Sequence, residues 1–215
     1  IAMPMPEDLG WVQAGAIPES CMTAHDAMFP QCRLGMSERV LISGGAGGVG
    51  TAAIILAAEA GSRVTATVRN PDLREDVAQL GADAIAPEEL EAHGPYDVIV
   101  ELIGAPNMPA NMRALATDGR IAVIGVGAGA AAELDLLALM GTRGTIRGST
   151  IRARPIEERA IAAREVEAHV LPLFQGGRRR LPVAATYDLE QAVEAYAHFA
   201  AGGKLGKIVL TSGVD

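Results

Sequence analysis

The sequence predicts an α/β fold: a doubly wound parallel sheet with helices on both faces. Three observations predict it. Short β-branched apolar runs alternate with helix-length segments at the spacing of βαβ units, which makes the strands parallel and their crossovers right-handed. The run Arg39–Ser43 is short, apolar and β-branched, as a strand covered on both faces must be. A glycine-rich turn, Gly45-Ala46-Gly47-Gly48-Val49-Gly50, joins that run directly to a helix-length apolar segment.

The elements follow in order. Residues 1–18 are punctuated by Pro and Gly and read as an irregular lead-in. Glu19–Phe29 reads as a short helix ending before Pro30. After the glycine turn, Thr51–Ala60 is a helix with so few polar residues that it must be largely buried; Gly61 stops it. Arg63–Val68 is a strand, and Pro71 suits the first turn of a helix running to about Leu80, with Gly81 after its end. Ala84-Ile85 is a short strand, Tyr96–Leu102 a strong one, Met108–Ala116 a helix, and Arg120–Ile124 a strand after the Asp118-Gly119 turn. Leu134–Met140 is a short helix and Thr145–Thr150 a strand. After Pro155 the pattern changes to a long helix from Ile156 to about Gln175, a strand near Val183, a helix from about Leu189 to Ala201 and a last strand, Lys207–Thr211. The expected division is a lead-in (1–18), a nucleotide-binding domain (19–150) and a C-terminal segment (151–215).

Composition bounds the function. The chain has 215 residues, room for one domain with a full core or one domain and part of another. Apolar residues make up 49% and charged residues 20%, as in a soluble globular protein. A net charge of −8 argues against nucleic acid or an anionic membrane as a partner. The one basic cluster, Arg178-Arg179-Arg180, reads as a solvated turn. No apolar run reaches the roughly 18 residues of a membrane span, and no signal peptide is visible at the N-terminus. Cys21 and Cys32 form no disulfide framework, so a reducing cytoplasm is expected.

The glycine turn carries the strongest functional signal. Gly45-x-Gly47-x-x-Gly50 lies between a strand and a helix, the context that gives the pattern meaning, and defines a Rossmann-type dinucleotide site. The first glycine permits the tight turn, the second lets the backbone approach a pyrophosphate, and the third lets the helix pack on its strand. The helix N-terminus adds unpaired N–H groups and a partial positive charge. The end of the next strand chooses between cofactors. An acidic residue there would grip a ribose 2′-hydroxyl; this sequence has Arg69, then Asn70 and Arg74. A guanidinium attracts a 2′-phosphate and can bond it in bidentate fashion, so NADP(H) is expected over NAD(H).

The motif sits in a longer match. Ala16–Ala24, Glu38–Gly50, Leu80–Asp83, Gly148–Arg154, His169–Pro172 and Gly206–Leu210 together resemble the quinone oxidoreductase branch of the medium-chain dehydrogenase/reductase superfamily. The run Ser149-Thr150-Ile151-Arg152-Ala153-Arg154 resembles its zeta-crystallin-like and p53-inducible subgroup. The resemblance implies a zinc-free enzyme passing hydride from NADPH to quinones or other conjugated carbonyls. It implies Thr23 near the nicotinamide end and Gly47, Gly48, Val49 and Gly50 on the pyrophosphate. Arg69, Asn70 and Arg74 would then meet the 2′-phosphate, and Gly104 and Gly125-Val126-Gly127 would border the ribose and nicotinamide. It also implies a homodimer through the sheet edge near Thr145–Thr150, and a C-terminal segment packed on a GroES-like substrate domain.

Four departures stand out. The N-terminal GroES-like domain is absent from this sequence. Ala86-Pro87 occupies the place of an adenine-stacking tyrosine. Glu101–Gly104 lacks a serine common in relatives, and Lys204 stands where asparagine is frequent. The first departure leaves open a binding and dimerising module without turnover of its own; an enoyl reductase unit of a larger synthase is a further alternative. No metal site is expected, because the cysteines lack close spacing and His25, His93, His169 and His198 are scattered. Asp97 and Glu101 share one face of a strand, and Glu101 lies at its carboxyl end. A role for Glu101 beside the cofactor stands against a hydrogen-bonded strand end. No catalytic side chain is identified, since the cofactor carries the chemistry.

Overall fold

The computed structural model describes residues 1–213. Helix α1 (Trp11–Asp26) comes first, followed by β1 (Arg39–Ile42), α2 (Gly48–Glu59), β2 (Arg63–Thr67), α3 (Arg74–Gln79), β3 (Asp83–Ile85) and β4 (Tyr96–Glu101). Next come α4 (Met108–Arg113), β5 (Leu115–Val123), α5 (Leu136–Thr142) and β6 (Thr145–Gly148). The chain ends with α6 (Ile156–His169), α7 (Leu171–Phe174), β7 (Val183–Asp188), α8 (Ala192–Ala201) and β8 (Lys207–Thr211).

The six-stranded sheet has the order β3-β2-β1-β4-β5-β6, and every pairing is parallel. This is the doubly wound order expected of a Rossmann-type sheet, whose strand order reverses between β1 and β4. Alternation along β1 explains its apolar run. Val40 and Ile42 pack with α1 and α2 residues such as Ile17, Ala53 and Ile54, while Leu41 joins Ile99 and Ile121 under Met108, Met112 and Leu139. Both faces of the sheet are therefore covered, and the ladder carries the site between two apolar layers.

Several expectations change. The lead-in is helical from Trp11 onward, with Pro18 inside α1. A proline inside a helix costs roughly 3 kcal/mol. Here Ala16, Ile17, Ser20, Cys21 and Ala24 are all buried, and Gln13 exchanges two hydrogen bonds with the Leu181 backbone, at 3.1 and 3.2 Å. Tertiary packing outweighs the local penalty. The helix also does not stop before Pro30: it widens into a π-turn, Ala27–Gln31, in which the missing proline N–H falls. Leu115 and Ala116, read as helix, open β5 instead; Asp118 adopts φ 59° and lets the strand resume at Arg120 beside Val98.

The segment after 151 is joined to the nucleotide fold. Helix α6 packs on α1, β7 pairs with β8 in a small parallel sheet, and that sheet packs on α1. Asp26 is the anchor at this junction. It is buried and receives both Arg154 nitrogens at 2.8 and 2.6 Å, the Ser149 hydroxyl at 2.8 Å and the Gln31 amide at 3.2 Å. Burial opposes its charge, but the bonds from Arg154, Ser149 and Gln31 prevail and hold its carboxyl below the usual range. The long helix expected over 156–175 breaks at Val170, before Pro172 in the first turn of α7.

Candidate dinucleotide site

The candidate residues other than Thr23 gather at or just beyond the carboxyl ends of β1, β2, β4 and β5, where open parallel sheets bind ligands. The glycine turn is pinned from both sides. Gly44 N–H donates to Thr67 Oγ1 at 3.2 Å, and Gly45 N–H to the Thr67 carbonyl at 2.9 Å. Ser43 bridges β1 and β4: its hydroxyl donates to the Val100 carbonyl at 3.2 Å and accepts from Leu102 N–H at 2.8 Å. From below, Gly206 N–H donates to the Ala46 carbonyl at 2.8 Å, and Gly206 forms a parallel bridge with Gly47.

The glycines differ in what requires them. A methyl group at Gly45 would lie 2.8 Å from Ala66 Cβ, and one at Gly50 would lie 2.3 Å from the Gly44 carbonyl oxygen. These two are fixed by the fold. At Gly47, which is exposed, the nearest protein atom would be 3.4 Å away, an ordinary contact. Nothing in the protein needs a glycine there, whereas a backbone that must approach a phosphate does. Gly48 and Val49 are half-buried in the first turn of α2, and Ala46 is half-buried beside them.

At the end of β2, Arg69 is exposed. It enters none of the ion pairs among the described residues. Asn70 is committed to a turn, accepting from Asp72 N–H at 3.1 Å. Arg74 donates from Nε to the Val68 carbonyl at 3.2 Å, which ties α3 to the strand end.

Gly104 and Gly125-Val126 are brought together. Gly104 has φ 116°, and a side chain there would meet the Gly129 carbonyl at 2.5 Å and Val126 Cα at 2.9 Å. A side chain at Gly125 would strike the Leu102 carbonyl at 2.1 Å. Two further bonds, Ala128 N–H to Ile103 O and Ala105 N–H to Gly129 O, each 2.9 Å, zip the two loops into one wall. A methyl group built on Gly127 would meet nothing within 4 Å and Val126 is half exposed, so this wall faces open space. Thr23 is on α1, where its hydroxyl donates to Glu19 Oε1 at 3.5 Å.

Glu101 is wholly buried and fully engaged. It accepts from Ile103 N–H at 2.6 Å, Gly104 N–H at 2.7 Å, Asn111 Nδ2 at 2.6 Å and Asn107 Nδ2 at 3.2 Å. It shapes the loop that presents Gly104, and has no open face toward a ligand. Asp97, four residues earlier on the same strand, belongs to the other end of the sheet. The Arg39 guanidinium grips it at 3.0 and 3.1 Å and holds its carboxyl below the usual range.

Sequence reasoning missed Lys207 and Glu19, whose charged ends meet at 3.1 Å beside the turn although 188 residues separate them. It also missed Thr67 as the turn's fastener. A cavity of roughly 1200 Å³, bordered by Trp11, Arg180 and Leu210, includes none of the candidate residues.

Comparison with known proteins fits this geometry. The family model "Zinc-binding dehydrogenase" matches residues 48–168, more than half of the chain. The chain belongs to that family. It is an NAD(P)-binding oxidoreductase domain of the medium-chain dehydrogenase/reductase superfamily, and the match begins at the first residue of α2. The Spectinabilin polyketide synthase system protein NorB of Streptomyces orinoci is 32% identical over 97% of this chain but only 10% of its own length. The quinone oxidoreductase of Mus musculus is 28% identical over 96% of this chain and 65% of its own. The chain thus spans less than two thirds of each. Among solved structures, the quinone oxidoreductase from Thermus thermophilus, studied also as its complex with NADPH, superposes with a TM-score of 0.85. It is 29% identical and covers 97% of this chain and 69% of that one.

The residues present do not fit the metal in the family's name. Among the described residues no three His, Cys, Asp or Glu side chains come together as a cation site. Cys21 and Cys32 are buried free thiols, pushed up by burial to about 12 and about 11. A cysteine that ligates zinc must be a thiolate. No helix among the described residues is long and apolar enough to cross a membrane.

Proposed function

We propose that this chain is the nucleotide-binding part of an NADPH-dependent reductase acting on quinones or other α,β-unsaturated carbonyls. The observation that carries the cofactor choice is Arg69, an exposed guanidinium outside every ion pair among the described residues, at the strand end where a 2′-phosphate lies in this fold. The N–H groups of Gly48, Val49 and Gly50, in the first turn of α2, would hold the pyrophosphate, with Gly47 giving the closest approach. The wall of Gly104, Gly125, Val126 and Gly127 would border the ribose and nicotinamide. Thr23, Asn70 and Arg74 complete the proposed set, with Arg74 and Asn70 holding the shape on which Arg69 stands. When bound, the cofactor supplies the hydride. The protein positions it and excludes competing reactions; Glu101, engaged by internal donors, holds a loop.

A second reading, an enoyl reductase unit of a larger synthase, is favoured by the 32% identity to a polyketide synthase protein along almost the whole chain. One assay separates the two. The polypeptide that contains this chain is mixed with NADPH and either a simple quinone or a 2-enoyl thioester, and loss of reduced-cofactor absorbance is followed. Faster turnover of the quinone is the expected result. Turnover of the thioester alone would favour the synthase reading, and binding without turnover of either would leave a nucleotide-binding module.

The proposal includes a homodimer through β6. This strand ends the sheet, is mostly exposed, and lies after a helix, α5, that presents Leu136, Leu137 and Met140 to solvent. An open strand edge beside apolar side chains is stabilised by pairing with a second copy.

A further inference from the structure

We infer that Lys207 is a further ligand for the cofactor's pyrophosphate, and that Glu19 is its internal counter-ion, displaced when the cofactor binds. The inference rests on the cofactor reading above and adds to it a competing charge within the same site.

Lys207 opens β8, far in sequence from the glycine turn, but its backbone is held there. The preceding residue, Gly206, donates to the Ala46 carbonyl and bridges to Gly47. Gly206 has φ 81°, and a side chain on it would strike the Pro182 carbonyl at 2.0 Å, so the approach depends on glycine. The lysine stem then crosses the first residue of α2. A methyl group built on Gly48 would lie 2.3 Å from Lys207 Cδ, 3.1 Å from Cγ and 3.6 Å from Cε. The ammonium is therefore carried at the N-terminal turn of α2.

That is an unfavourable place for a cation alone, because the helix macrodipole puts partial positive charge there. An anion must sit between the two for the arrangement to be stabilising. In this structure the carboxylate of Glu19 partly meets that need, 3.1 Å from Nζ. Its side chain is 68% exposed, and an exposed single ion pair contributes little. A pyrophosphate can bond both the helix N–H groups and the ammonium, which Glu19 is not seen to do. The neighbouring lysine is differently engaged: Lys204 donates to the Gly206 carbonyl at 2.8 Å and lies 5.3 Å from the centre of the Phe199 ring. Glu19 also accepts from Thr23, so its displacement would free the Thr23 hydroxyl as well.

The pyrophosphate is common to NADPH and NADH, so Lys207 must act on both, unlike Arg69. The test is calorimetric titration of the 215-residue chain with NADPH, NADH, ADP-ribose and adenosine 2′-monophosphate. Lys207→Gln is expected to weaken the first three alike by about tenfold, the loss of one charge-assisted contact, and to leave the 2′-monophosphate unchanged. Lys207→Arg, which keeps the cation, should retain binding. Glu19→Gln should tighten the dinucleotides. Unchanged dinucleotide affinity in Lys207→Gln, or weaker binding in Glu19→Gln, overturns the inference while the cofactor reading stands. If the unaltered chain binds none of the four, both fall together.

Discussion

The glycine turn and the α5–β6 flank are both incomplete surfaces, but each lacks something different. Beneath the turn, Ile42, Ile54 and Ala66 are fully buried, and what remains uncovered is backbone at Gly47 and the guanidinium of Arg69. On the flank the uncovered groups are apolar: Leu136, Leu137 and Met140 are 66, 78 and 72% exposed. The unpaired N–H groups in the first turn of α2, just past Gly47, and an unpaired cation suit a small anion. A cluster of bare aliphatic side chains suits a protein surface. The outer side of α8 resembles the flank, with Val193, Tyr196 and Phe199 exposed. The contrast is why we propose a charged small molecule for one end of the sheet and a second copy of the chain for its margin.

Substitutions can sharpen or break this contrast. The largest effect is expected from Glu101→Ala, which leaves two backbone N–H groups and two asparagine amides without their shared acceptor. A loss of about 3 kcal/mol or more in denaturant unfolding is expected, from penalties of roughly 1–3 kcal/mol per buried unsatisfied group. A loss under about 1 kcal/mol would mean that the loop is held some other way. Next come paired glycine substitutions. Gly50→Ala should cost about 2 kcal/mol through overpacking against the Gly44 carbonyl. Gly47→Ala should change stability by less than about 0.5 kcal/mol yet weaken dinucleotide binding. Equal destabilisation by the two would erase the distinction between glycines the fold requires and the one the ligand requires. The smallest effect on folding is expected at the flank. Met140→Glu should leave the unfolding free energy within about 0.5 kcal/mol but shift sedimentation from dimer to monomer. An unaltered oligomeric state would remove α5 from the interface.

Much of the fold was legible, for identifiable reasons. The run Arg39–Ser43 and the glycines after it combine strand, turn and helix signals within a dozen residues, so local chemistry sufficed. Helix α1 was half hidden because Pro18 argues against it locally, while its support comes from Leu181 and the β7–β8 sheet, elements that lie far along the chain. The start of β5 was hidden by Asp118, a non-glycine residue in the left-handed region. At the site, the turn and Arg69 were marked by residue type and position, and the Gly104–Val126 wall only by the family resemblance. The roles of Glu101 and Lys207 were not. Each depends on what a charged side chain meets in space: four internal donors for Glu101, and the head of α2 for Lys207.

We propose that the carboxyl end of this sheet is built for NADPH. The most direct test is titration of the chain with NADPH and NADH, followed by nicotinamide fluorescence, for the unaltered protein and for Arg69→Asp. Tighter binding of NADPH by about tenfold or more is predicted from a charge-assisted guanidinium–phosphate contact. The substitution is predicted to remove that preference while changing NADH affinity little. Equal affinity for the two nucleotides in the unaltered chain, or a preference that survives Arg69→Asp, would contradict the account.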